Sequence, residues 1–204
     1  MPTLLKIDAS PRGDYSVSRA LSAKFAEAWQ KGHAEGQVVT RDLMKTTLPF
    51  VDLPWIAGAY TPDEQHSPEM KQALLISNEL IAELFAADHI VLATPMYNFS
   101  TPAVLKAYID HIVRFNVTFS ASYEGLVKNK KVTVIIASGS LYTPGAYMES
   151  YDSETKYLKQ ILGFIGLTDV EFILAGGTND VNQGKTTQAE LVSSFEPQIE
   201  TAAH

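Results

Sequence analysis

The chain reads as an α/β fold, a doubly wound parallel sheet of five strands with helices on both faces. Three observations predict it. Short apolar runs of strand length alternate with longer segments whose apolar residues recur at helical spacing. Each strand is separated from the next by a helix, and that alternation folds as a parallel sheet covered by helices. The run Ile90, Val91, Leu92, Ala93 is apolar throughout, with none of the in–out alternation of a strand that has one wet face. It therefore reads as buried on both sides.

The elements follow in order. Residues 3–9 form the first strand, and 18–31 a helix whose inner face is Leu21, Phe25, Ala28 and Trp29. Residues 37–43 are the second strand. A long helix at 68–87 leads into the third strand at 88–94, and 102–115 is the next helix, with Pro102 suited to a first turn. Its apolar face is Leu105, Tyr108, Ile109 and Ile112. Residues 131–137 are the fourth strand, and 151–165 a helix with Leu158, Ile161, Leu162 and Ile165 inward. Residues 170–174 are the fifth strand, and 187–203 a closing helix with Val192, Phe195 and Ile199 inward. Right-handed crossovers are the rule. The flavodoxin-like strand order 2-1-3-4-5 then sets strands one and three side by side at the switch point, where such sheets bind ligands. Residues 1–204 are expected to form one flavodoxin-like domain.

Composition removes several function classes. A net charge of −7 argues against nucleic acid or an anionic membrane as partner, since both need a basic face. There is no cysteine, so disulfides, thiol redox motifs, cysteine nucleophiles and cysteine-ligated clusters are excluded together. Redox chemistry in this chain has to be carried by a bound organic cofactor. His33, His66, His89, His111 and His204 lack metal-ligand spacing, so no metal is expected. Asp110-His111 reads as surface or supporting rather than as a base. No stretch has membrane-spanning length, and the MPTLLKID start lacks a secretory pattern, so a cytoplasmic protein is expected.

Two loops carry the chemistry. After the third strand the chain presents Pro95, Met96, Tyr97, Asn98 and Phe99 at the carboxyl edge of the sheet, a seat for a flat aromatic ligand. After the first strand it presents Ser10, Pro11, Arg12, Gly13, Asp14, Tyr15, Ser16, Val17 and Ser18 at the mouth of a helix. Hydroxyls, free amides and the helix dipole there suit a phosphate; Ser16 or Ser18 would equally serve as a plain N-cap. Neither GxGxxG nor a P-loop is present, and no lysine stands ready for phosphoryl transfer. A phosphate site beside a flat aromatic site on adjacent strands describes flavin mononucleotide. Three long connections, 45–67, 116–129 and 139–150, are rich in aromatics and read as pocket walls or a subunit interface.

Ser10 with Ser16-Val17-Ser18, then Pro95-Met96-Tyr97-Asn98-Phe99, then Leu162-Gly163-Phe164-Ile165-Gly166 resemble the FMN-dependent NADH azoreductases, a family also described as NADH:quinone oxidoreductases. The resemblance runs over nearly the whole chain. It implies a homodimer whose tightly but non-covalently bound FMN takes hydride from NADH or NADPH and passes two electrons to quinones or azo compounds in a ping-pong cycle. By position it assigns the FMN phosphate to Ser10, Ser16 and Ser18 with the Val17 amide. It sets Met96, Tyr97, Asn98 and Phe99 along the isoalloxazine ring and brings Ser138 and Gly139 to the ring's pyrimidine end. Phe119, Tyr123 and Phe164 are the expected substrate pocket, though each would also serve as packing. No catalytic side chain is assigned, because the flavin carries the hydride. Gly139-Ser140-Leu141-Tyr142 departs from the family's Arg-Gly-Gly, and Ser120-Ala121 departs from its aromatic after Phe119, which leaves both loops' roles open. The alternative is a flavodoxin-type electron carrier or flavin-binding regulatory protein without a nicotinamide step.

Overall fold

The computed structural model describes residues 1–204. Five parallel strands form one sheet in the order β2-β1-β3-β4-β5, with β1 at Thr3–Asp8, β2 at Gln37–Asp42, β3 at His89–Pro95, β4 at Lys131–Ala137 and β5 at Asp169–Ala175. The order read from the sequence is the order found. Every residue of the central strand β3 is buried, as an unbroken apolar run requires.

Side chains alternate between two cores. Leu4, Val91, Ala93 and Ile135 pack under α1 (Val17–Gly32), whose Leu21, Phe25, Ala28 and Trp29 all lie inside. On the other face Leu5, Ile7, Ile90 and Leu92 pack under α3 (Pro68–Ala86), α4 (Ala103–Ile112) and α5 (Glu154–Phe164). No helix is long and apolar enough to cross a membrane.

There are five differences from the sequence expectation, three of them with an evident local cause. Residues 45–67 contain a helix, α2 (Leu53–Tyr60), capped by Asp52, whose side chain accepts from the Trp55 amide at 3.0 Å. Pro54 sits in its first turn, where a missing amide costs nothing. The fourth helix stops at Ile112 rather than at 115, because the Thr118 hydroxyl donates to the Ile112 carbonyl at 2.7 Å and accepts from the Arg114 amide at 2.8 Å. The helix expected from 151 begins only at Glu154, after a short 3-10 turn, Glu149–Tyr151. The closing helix is two, α7 (Gln188–Ser194) and α8 (Glu196–Ala202), with Pro197 in the first turn of the second. A proline there cannot donate the amide that a continuous helix needs. A short helix missed in the sequence, α6 (Thr178–Asn182), follows β5.

Candidate functional site

At the carboxyl edge of β1 the Ala9 amide donates to the Ala93 carbonyl at 2.9 Å and fixes the start of the serine loop against β3. Ser10, Ser16 and Ser18 are all buried. The Ser16 hydroxyl caps α1 by accepting from the Arg19 amide at 3.3 Å, and it lies 3.1 Å from the Ser18 hydroxyl. The Val17 and Ser18 amides, at the start of this 16-residue helix, donate to no protein acceptor. Two free amides at a helix N-terminus with buried hydroxyls around them match the donor set that a phosphate takes. This corner therefore fits the phosphate end of FMN.

The loop is held from below by charge. Arg19 Nε donates to the Ser10 carbonyl at 2.7 Å, while its two terminal nitrogens grip Asp42 at 3.0 and 2.6 Å. The Arg19 hydrogen bond holds the Asp42 carboxyl below the usual carboxylate range. Buried Asp8 accepts from Ser22 at 2.6 Å and pairs with Lys6. These groups border the largest concavity, about 650 Å³ beneath the start of α1, but they satisfy one another and leave little to offer a ligand.

The second half of the site is the turn after β3. The Met96 amide donates to the Ala137 carbonyl at 2.8 Å, and Tyr97 and Ser100 exchange backbone hydrogen bonds at 2.9 and 3.0 Å. Between them Asn98 and Phe99 stand at φ 50° and 67°. Left-handed backbone costs a residue with a Cβ about 1–2 kcal/mol; asparagine relieves it more readily than phenylalanine. The Asn98 and Phe99 amides donate to no protein acceptor. Tyr97 and Phe99 remain 39% and 43% exposed. A strained turn that presents free amides and open rings is the local structure expected where a flat ligand docks.

The third wall comes from β4. The Ser138 hydroxyl donates to the Ser140 carbonyl at 2.8 Å, and the Ser138 carbonyl accepts from the Thr178 amide at 3.0 Å. A Cβ on Gly139 would stand 2.8 Å from the Asn179 side-chain amide, so a larger residue here would require Asn179 of α6 to shift. Ser10, Ser16, Val17 and Ser18 meet Pro95, Met96, Tyr97 and Gly139 around one cavity; Asn98, Phe99 and Ser138, their neighbours in the chain, do not line it. Arg12 and Thr178 also line it and were missed in the sequence. The signal for Thr178 was the Gly176-Gly177 pair at the end of the fifth strand, a turn at the same sheet edge.

Phe119, Tyr123 and Phe164, the expected substrate pocket, do not line this cavity within one chain. Phe119 and Phe164 pack at 4.8 Å, and Tyr123 stands 6.5 Å from Phe164. Phe115 and Tyr60 extend the cluster at 5.9 and 5.5 Å. Helix α5 starts beside the β3 turn and runs back for 11 residues before reaching Phe164, a length of about 16 Å. The aromatic cluster thus lies toward the amino edge of the sheet, while residues 96–99 lie at its carboxyl edge.

The histidines are occupied elsewhere. His111 is buried, not on the surface: Trp55 Nε1 donates to its Nδ1 at 3.1 Å, and its Nε2 donates to the Pro49 carbonyl at 2.8 Å. It ties the 45–67 connection to α4. Asp110 pairs with Lys106 on the surface at 2.6 Å. His89, buried at the start of β3, lies 3.1 Å from the Thr133 hydroxyl, and burial pushes its pKa down to about 4.

A family model described as "Flavodoxin-like fold" matches residues 2–197. The chain is 46% identical to the FMN-dependent NADH:quinone oxidoreductase 8 of Burkholderia lata, over 100% of this chain and 97% of that protein. It is 43% identical to the FMN-dependent NADH:quinone oxidoreductase 2 of a Jannaschia species, over the full length of both. Among solved structures, an azoreductase from Bacillus anthracis superposes with a TM-score of 0.86 at 26% identity, covering 100% of this chain and 99% of that one. An FMN-dependent NADH-azoreductase of the same species, solved in complex with FMN, gives 0.84 at 25% identity over 98% of this chain and 97% of that one.

Proposed function

The chain belongs to the flavodoxin-like family of the FMN-dependent NADH:quinone oxidoreductases, and on that footing we propose how its residues perform the reaction. It is an FMN-dependent enzyme that oxidises NADH and reduces quinones and azo compounds. When bound, FMN would supply the two-electron redox chemistry that links NADH to the acceptor. The relatives lend no support to the carrier alternative.

In this reading Ser10, Ser16 and Ser18 donate hydroxyl protons to the FMN phosphate, with the Val17 and Ser18 amides completing its shell. Pro95, Met96, Tyr97, Asn98 and Phe99 would hold the ring, mainly through backbone, with the free amides of Asn98 and Phe99 as available donors. Ser138 and Gly139 meet the pyrimidine end. The residues' part in the acceleration would be to hold the reacting groups in position, an entropic contribution. No side chain needs to act as acid or base.

The observation that carries this reading is the pairing of three buried hydroxyls and two free helix-start amides with a strained, open turn on the adjacent strand. The test is titration of the flavin-free protein with FMN, followed by NADH oxidation with a quinone added. Stoichiometric binding and quinone-dependent oxidation are expected; absence of binding would overturn the reading.

The reading extends to a homodimer with shared active sites, each copy spanning 1–204 as one domain. Two features support it. Phe119, Tyr123 and Phe164 lie too far from their own chain's turn to cover its flavin, so a second copy is the partner they fit. Phe50, Leu53 and Tyr60 in the 45–67 connection are 82%, 76% and 66% exposed, a dense apolar surface of the kind that interfaces bury. A cytoplasmic location is part of the same proposal, in keeping with the absence of any helix long and apolar enough to cross a membrane.

A further inference from the structure

Behind the β3 turn lies a carboxyl that the redox cycle does not use. Glu154 opens α5, is fully buried, and forms no ion pair. Its Oε1 lies 3.1 Å from the Thr94 hydroxyl, and its Oε2 has no protein partner. The Thr94 hydroxyl also lies 3.2 Å from the carbonyl oxygen of Pro95, the last residue of β3 and a wall of the candidate cavity. One residue before Glu154, the Ser153 amide donates to the Phe99 carbonyl at 3.2 Å. Residues 153 and 154 therefore brace the turn at both of its ends.

A hydroxyl has one proton to give, and Thr94 has two oxygens within reach. When Glu154 is protonated, its own O–H serves Thr94, and the Thr94 proton is free for the Pro95 carbonyl. When Glu154 is ionised, the carboxylate draws that proton and Pro95 loses its donor.

We propose that Glu154 is a positioning residue, a buried neutral carboxylic acid that holds the β3 turn in its FMN-binding shape through Thr94 and releases it on losing its proton. This inference rests on the flavin reading given above.

The surroundings favour the neutral form. Burial is the main force raising the Glu154 pKa, to about 9; the Thr94 hydrogen bond opposes it, and the negative Asp152 adds to it. Asp152 is the charged group acting on Glu154. β3 offers Thr94 and Pro95, the turn offers Tyr97, and β4 ends in Ala137 and Ser138, none of them charged at neutral pH. On α4 the nearest charges, Lys106 and Asp110, pair with each other and act on Tyr157.

Two measurements on the purified full-length chain test the proposal. The first is the FMN dissociation constant by quenching of flavin fluorescence, across pH. In the native protein it should weaken about tenfold between about pH 8 and about pH 10. In E154Q, which keeps the shape without the ionisation, it should change only by what flavin ionisation imposes on both proteins. In T94V the relay is cut, so affinity should no longer follow Glu154. The second is the melting temperature of the flavin-free protein. The native acid keeps its proton to about pH 9, whereas the unfolded one releases it near pH 4.3. Stability from this group is therefore lost as pH rises through that window. E154Q should abolish that slope and T94V should retain it. An E154Q or T94V affinity profile that tracks the native one would overturn the proposal alone. Failure of every variant to bind FMN at any pH would overturn the flavin reading and this proposal with it.

Discussion

The serine corner and the aromatic cluster are built on opposite plans. The corner at Ser10, Ser16 and Ser18 is buried, pre-shaped and complete within one chain, with Arg19 and Asp42 locking its loop from below. The cluster at Phe119, Tyr123 and Phe164 is stacked but distant from its own chain's turn, and Tyr123 is 75% exposed. The lesson is that cofactor affinity and substrate cover are separable here. In the proposed dimer, the first would belong to the single chain and the second to the pair.

The largest effect should come from the corner. S16A/S18A removes two hydroxyl donors to a dianion, each about 1.5–3 kcal/mol, so FMN binding measured by titration should weaken by about a hundredfold or more. The cluster should remain folded, with unchanged near-ultraviolet aromatic signals. The second effect concerns the pair. L53D places a charge on the exposed apolar face of α2, at a helix start where aspartate is tolerated. It should shift the protein to monomer in light scattering, keep FMN bound and lose most quinone turnover. F164A is expected to be milder. Removing one ring of the cover should lower turnover by up to about tenfold, in keeping with about 0.5–1.5 kcal/mol of aromatic contact, and leave the FMN dissociation constant within about twofold of native. The smallest effect is one both regions share through the sheet. Buried His89 titrates near 4 when folded, below its unfolded value. The unfolded chain therefore binds the extra proton between about pH 6.5 and 4, and stability is lost as pH falls through that window. Melting curves should show H89Q losing less stability than the native protein over the same range.

The two regions also differed in how well the sequence exposed them. The serine corner and the 95–99 turn were legible because each is local: a strand ends, a loop of characteristic residues follows, and a helix begins. β4 is found at 131–137, as its apolar run predicts. Where distant contacts decide, the sequence was mute. The prolines at 49, 54 and 62 read as a loop, yet Asp52 capping and the Trp55–His111 bond make a helix there. Thr118 ends α4 early through its hydroxyl. Phe119 and Phe164 were assigned to one substrate pocket, but no spacing could say that they stack on each other or that α5 carries Phe164 to the far edge of the sheet. Glu154 stood unremarked on a helical face, because only the fold reveals that its carboxyl is sealed beside Thr94.

The central claim is that the flavin is held by one chain and covered by another, and subunit mixing tests it most directly. On the proposal, S16A/S18A would leave its own corner largely empty of FMN at limiting flavin, and F119A/F164A would leave its partner's flavin uncovered. Each alone should turn over quinone poorly. After dissociation and reassociation of an equimolar mixture, half of the dimers pair one of each, and one of their two sites draws an intact corner and an intact cover. Activity should rise to about a quarter of the native level, as two-fold symmetry with random pairing dictates. A mixture no more active than the average of its two components would contradict the account.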